Sequence, residues 1–85
     1  MNGPLKILPM AAEQQKVYGF SGADIDRCYR LRQSSFAGRR GTWIWGISVH
    51  GKSIAIRVDE RGKQVVVLNV SDQPPFDEIT GVSGL

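Results

Sequence analysis

Cysteine and histidine are almost missing from this chain of 85 residues: Cys28 and His50 each stand alone. A single cysteine cannot close an internal disulfide, and small secreted domains usually need several, so a cytoplasmic location is expected. One Cys and one His far apart give no zinc constellation, and neither a metal nor a cofactor is expected. Long apolar runs are also lacking. None approaches the ~20 residues that a membrane helix needs, so no membrane partner is expected. Residues 1–9 carry no charged leader followed by an apolar stretch, and no signal peptide is expected. No glycine-rich loop precedes a helix signal, so nucleotide binding is not indicated.

Acidic residues are absent from a long central stretch. No Asp or Glu lies between Arg27 and Arg57, whereas Arg27, Arg30, Arg32, Arg39, Arg40, Lys52 and Arg57 all do. After Ser71 the sign reverses, with Asp72, Asp77 and Glu78 and no Lys or Arg. This excess has two readings. One is a surface complementary to RNA or to an acidic protein, with Arg27, Arg30, Arg32, Arg39, Arg40 and Arg57 as the contact residues. The other is a solvated face that keeps a small protein soluble.

What is present is an ordinary globular composition, 41% hydrophobic and 22% charged, sized for a single small domain over residues 1–85. Residues 5–8 form a short apolar run that reads as an edge strand. Pro9 ends it and fits the first turn of a helix, where its missing N–H costs nothing. That helix runs to Tyr18 with Met10, Val17 and Tyr18 on one face, and Gly19 stops it. Ser21 and Asp24 have the spacing of a capping box, which opens a second helix. Ile25, Cys28, Tyr29 and Arg32 then share a face at helical spacing. Residues 28–33 also partly alternate, so a strand there is the rival reading. Residues 34–41 read as a loop.

The clearest pattern is a three-stranded antiparallel meander over residues 42–70. If His50-Gly51 is a two-residue turn, Ile47 faces Ile54, Trp45 faces Ile56 and Trp43 faces Val58. A three-residue loop of Glu60, Arg61 and Gly62 then pairs Asp59 with Lys63. This register puts Trp43, Trp45, Ile54, Ile56, Val66 and Leu68 in the core. It puts Ile44, Gly46, Ala55, Arg57, Val65, Val67 and Asn69 on the other face, as a shallow apolar trough. Residues 71–85 read as an extended or partly disordered tail, in which Pro74-Pro75-Phe76 offers a tether and a plug for that second face. The expected fold class is α+β, a short N-terminal strand and two helices packed on the meander.

His50, in a tight turn, reads more readily as a turn residue than as a general base. Trp43 and Trp45 could stack on bases, but their pairing favours a place in the core. Cys28 reads as a small buried apolar residue.

The order strand, helix, helix, meander resembles the RelE/ParE toxin fold, including its HigB-type members. The resemblance is carried by Gly41-Thr42-Trp43 through Val49-His50-Gly51-Lys52, by Ile54-Ala55-Ile56-Arg57-Val58-Asp59, and by Val65-Val66-Val67-Leu68-Asn69-Val70. Phe76-Asp77-Glu78-Ile79 is similar to the aromatic–acidic segment that follows the sheet in HigB-like members. The likeness spans residues 41–79. It implies a toxin that cleaves ribosome-bound mRNA, a possible antitoxin partner, and basic side chains on the sheet that stabilise the transition state. On this resemblance His50, Lys52 and Arg57 are the candidate catalytic residues. Lys52 stands where those enzymes usually carry arginine, and Asp72-Gln73 where another basic residue is expected. The resemblance therefore covers either a ribonuclease or a catalytically degenerate relative. The alternative is a small non-enzymatic inhibitor or adaptor of the anti-CRISPR kind. Phages and mobile elements encode such proteins to bind a host nucleic-acid machine.

Overall fold

The computed structural model describes residues 5–38 and 40–73, and its class is α+β. The chain runs through β1 (Lys6–Ile7), α1 (Pro9–Tyr18), α2 (Gly22–Leu31), β2 (Ser34–Gly38), β3 (Gly41–Ile47), β4 (Ser53–Asp59) and β5 (Val66–Ser71). The strands form one five-stranded sheet in the order β1-β5-β4-β3-β2. The expected meander is β3-β4-β5, antiparallel throughout. β1 adds to it in parallel, pairing Lys6 with Val66 and Ile7 with Val67.

Both helices start and stop where local chemistry dictates. Pro9 occupies the first turn of α1, and Gly19 closes it in the left-handed region at φ 75°. Gly19 N–H donates to Lys16 O and Phe20 N–H to Gln15 O, which satisfies two terminal carbonyls. The face shared by Met10 and Val17 turns to solvent, at 63% and 79% exposure, and the buried side of α1 carries Ala11. That small residue lets α1 lie close beside β5, past the end of short β1. There Gln14 Oε1 accepts from Val70 N–H at 2.8 Å, so the helix closes a sheet edge that β1 leaves open.

α2 carries the expected capping box. Asp24 N–H donates to Ser21 Oγ at 3.1 Å, and Ser21 N–H donates back to Asp24 Oδ2 at 3.0 Å. The strand alternative for residues 28–33 is thereby corrected up to Leu31, because the cap commits the backbone to helix. Asp24 also accepts Val49 N–H at 3.2 Å, joining the start of α2 to the hairpin between β3 and β4. The Ser21 N–H holds this carboxyl below its ordinary value of 3.8, against the opposing effect of burial, and the Val49 N–H adds to the lowering. A depressed carboxylate pKa stabilises the fold above the unfolded value, and the benefit is lost as pH falls through the folded value. Asp24→Ala is therefore expected to cost about 1–3 kcal/mol at pH 7. In urea unfolding the gap to the parent protein should close as the pH drops below the ordinary value of 3.8.

Three expectations are corrected. Residues 34–38 are a strand, not a loop; β2 pairs with β3 from Ser34↔Trp45 to Gly38↔Gly41. Its Ser, Ala and Gly residues have little strand propensity, so pairing with β3 decides its form. The β3–β4 hairpin is one residue longer than expected. Gly51, at φ 81°, donates to Ser48 O, and Ser48 N–H donates to Lys52 O. Ser48 Oγ accepts the N–H groups of both His50 and Lys52 at 3.2 Å, which fixes this wider turn. One extra residue moves every pairing by one: Ile44 faces Ile56, Trp45 faces Ala55, and Trp43 faces Arg57. The β4–β5 loop is also wider, spanning 60–65, and a bulge sits between Arg57 and Val58. Asp59 pairs with Val66 rather than Lys63, and Val65 O, on the other edge of β5, accepts Lys6 N–H of β1.

β4 therefore keeps its expected inward face, Ile54, Ile56 and Val58, while β3 turns Ile44 inward in place of Trp43 and Trp45, and β5 turns Val67 inward in place of Val66 and Leu68. Ile44, Ile54, Ile56, Val58, Val67 and Val70 pack with Ala11, Phe20, Ile25 and Cys28 under the helices. Each fully buried Ile or Val contributes about 1.5–3 kcal/mol. Trp43, Trp45, Ala55, Arg57 and Asn69 lie on the other face, so the expected trough of Ile44, Gly46 and Val67 does not form. Trp43 and Ala55 are buried on that side too. Ser71, expected to begin the tail, is the last residue of β5, paired with Ala55. The rest of the expected tail from residue 74, with its Phe76 plug, lies outside the described residues.

Candidate functional site

The hairpin between β3 and β4 holds two of the expected catalytic residues. His50 is exposed there. Lys52 Nζ donates to Tyr18 O at 3.1 Å and stands 5.1 Å over the Phe20 ring, so its cation completes the C-terminal end of α1. Arg57 lies roughly 16 Å further along β4, from a strand rise of about 3.3 Å per residue, and on the opposite face. Its guanidinium sits 5.7 Å over the Trp43 ring and Nη2 donates to Asn69 Oδ1, while Nε is buried without a hydrogen-bond partner. His50, Lys52 and Arg57 are not brought together. Among the described residues no group of three or more His, Cys, Asp or Glu comes together either. Burial pushes the Cys28 thiol up to about 11, which leaves it protonated and unreactive at neutral pH.

The expected basic surface divides in the same way. Arg27 and Arg30 are exposed on α2, and Arg30 pairs with Asp26 at 2.7 Å. Arg32 caps α2 in the left-handed region at φ 44°. It forms a two-pronged pair with Glu60, Nη1–Oε2 at 3.0 Å and Nη2–Oε1 at 2.7 Å, while Tyr29 Oη donates to the same carboxylate at 2.9 Å. Arg32 holds the Glu60 carboxyl below its usual range, and Glu60 holds the Arg32 guanidinium above its own. This triad is a strut between α2 and the β4–β5 loop. Arg40 is exposed in the turn between β2 and β3, and Arg39 lies outside the described residues.

An antiparallel meander alternates its turns between its two ends, so the β2–β3 turn meets the 60–65 loop. Between them is a cleft of about 680 Å³, lined by Ala37, Gly38, Arg40, Gly41, Thr42, Val58, Asp59, Glu60, Arg61 and Leu68. Gly41, at φ 134°, makes this approach possible: a Cβ there would sit 2.5 Å from Val58 O. Leu68 supplies an apolar floor, and Arg40 and Arg61 supply a basic rim. The adjacent acids are already engaged. Asp59 accepts from Arg61 Nε and Nη2, both at 3.0 Å, and the Arg61 side chain holds its carboxyl down to about 2. Glu60 is held by Arg32.

No family model, no curated protein and no solved structure matches the chain. The site must therefore be read from its own chemistry. Arg40 and the nearby Lys63 offer exposed cations beside an apolar floor, with Arg61 held by Asp59 between them, which suits a phosphate or carboxylate carried on a larger, partly apolar body. Among the described residues no His, Cys or Ser lines the cleft. Sequence reasoning missed Arg61 and Lys63 because they fall outside the acid-free window, Arg61 being read as a turn residue and Lys63 as the strand partner of Asp59. The available signal was topological: reading 34–38 as a strand would have placed two basic turns at one end of the sheet.

Proposed function

We propose that this chain is a catalytically degenerate relative of RelE-like toxins that binds RNA or the ribosome through the Arg40–Arg61 cleft. The observation that carries this reading is the meeting of the two basic turns over an apolar floor, with Asp59 and Glu60 already neutralised. Two others support it. The element order keeps the strand–helix–helix–meander sequence that underlies the resemblance, with β2 added before the meander, and the candidate catalytic residues stand at two ends of the sheet. Binding then rests on counterion release, and its affinity falls steeply with salt.

The test is fluorescence anisotropy of a labelled single-stranded RNA across a sodium chloride series. The double variant Arg40→Glu, Arg61→Glu is expected to weaken binding by about 10- to 100-fold at low salt and to flatten the salt slope by about 0.7 per lost phosphate contact. The RNA stays intact, and induced expression leaves cellular mRNA uncut. Salt-independent binding, or cleavage of the RNA, would refute the reading. The scattered catalytic candidates also favour a second one, a non-enzymatic inhibitor or adaptor for an acidic protein surface. Recovery from lysate of one protein complex without RNA would support it; recovery of ribosomes would support the first.

A further inference from the structure

The sheet face away from the helices carries Phe36, Trp43, Arg57 and Asn69 in one row across the strands, and Trp45, Ala55 and Ser71 in the next, because paired residues share a face. Both helices pack on the other face, where Ala11, Phe20, Ile25 and Cys28 join the core. α1 reaches the Trp43 face only at its margin, through Met10 and Gln14 at Asn69. An antiparallel sheet with one packed face commonly leaves the other to water, and Trp, being large, is rarely closed off completely. Trp43 is nevertheless only 5% exposed, and Ala55 0%. Stacking with Arg57 covers one side of the Trp43 ring and leaves the other outward. Arg57 Nε is closed off as well, without a hydrogen-bond partner. A further layer therefore covers this row. It is apolar where it meets Nε, since a carboxylate or phosphate there would accept the N–H.

We propose that residues 74–85, which lie outside the described residues, supply that layer as a strap across the sheet, with Phe76 seated on the Trp43 ring. Three observations select this occupant. The burial of Trp43 and Ala55 is that of a single chain, so the chain provides its own cover. The segment sets out from the right face, because Ser71 pairs with Ala55 and shares its side of the sheet. Trp43 lies two strand spacings across and two residues along from Ser71, about 12 Å, and the five residues from Ser71 to Phe76 span up to about 16 Å. The composition of the segment fits too. Phe76, Ile79, Val82 and Leu85 recur at every third position, after Pro74-Pro75, which favours an extended start. Residues 1–4 fit poorly. They join the sheet at β1, three strand spacings from Trp43, or about 14 Å across, whereas four residues span roughly 13 Å. They also offer only Met1 as a large apolar side chain. The strap takes Trp43 out of reach of RNA bases and leaves the basic end of the sheet to the polyanion.

The test is NMR on the full isotope-labelled chain. Nuclear Overhauser contacts are expected between the Trp43 indole protons and the Phe76 ring. A mixture of labelled and unlabelled chains should show them within one chain and not between chains. Phe76→Ala removes the apolar seat and is expected to speed hydrogen exchange of the Trp43 indole N–H about tenfold or more. The backbone amides of Ile44 and Ile56, in the core under the helices, should keep their rates. Phe76→Leu, which retains a large apolar side chain, should preserve most of the protection. The proposal is overturned if the Trp43 ring of the parent chain contacts none of residues 74–85, or if the contacts run between chains. It is overturned equally if Phe76→Ala leaves the indole exchange unchanged, or speeds Ile44 and Ile56 by the same factor.

Discussion

Ile44→Ala is expected to lower the unfolding free energy by about 2–5 kcal/mol, a large share of the roughly 5–15 kcal/mol that holds a small domain together. Ile44 is fully buried. It faces Ile56 across the ladder, and Cys28 Sγ lies 3.6 Å from its carbonyl oxygen, so the sheet and α2 both close over it. Truncation there leaves a cavity that neither element can collapse into. In the register suggested by a two-residue His50-Gly51 turn, Ile44 lies on the opposite face from the core, and the loss would be far smaller. Urea unfolding of this variant measures the register as well as the packing.

Phe20→Ala is expected to cost about 3–5 kcal/mol. Phe20 lies between the helices, buried, with the Tyr18 ring 6.3 Å away and the Lys52 ammonium 5.1 Å from its own ring. It is also the residue that follows the left-handed Gly19, so its apolar side chain pins the turn that redirects the chain from α1 into α2. Its removal loosens the helix pair and the seat of Lys52 together. Val17→Ala, at a position of α1 that is 79% exposed, should stay within about 0.5 kcal/mol and serves as the control. Thermal unfolding of both variants checks the contrast.

The local signals in this sequence were legible and the longer-range ones were not. Pro9, Gly19 and the Ser21–Asp24 box fix helix ends through bonds that span at most a few residues, and each reads directly from residue type. The meander is equally plain, because Ile, Val and Trp alternate over three runs. Its register is not, because it depends on whether the hairpin has two loop residues or three. Gly51 is compatible with both. The Ser48 hydroxyl and the Asp24 carboxylate, reaching from another element, choose the longer one. β2 was invisible for a related reason: Ser34-Ser35-Phe36-Ala37-Gly38 has no strand pattern of its own and borrows its form from β3. With β2 missed, the turn at Arg40 had no place at the end of the sheet, and its meeting with Arg61 went unseen. Arg57 shows the same limit, since one residue of register decides whether it stands opposite Ile44 or opposite Trp43.

The claim that matters most for function is that the basic end of the sheet, rather than the hairpin holding His50 and Lys52, meets the polyanion. Titration of the isotope-labelled protein with a single-stranded RNA, followed by backbone amide shifts, tests it directly. The predicted result is shifts confined to residues 40–42 and 59–63, fading as salt is raised. Shifts centred on residues 48–52, or none at low salt, would contradict it.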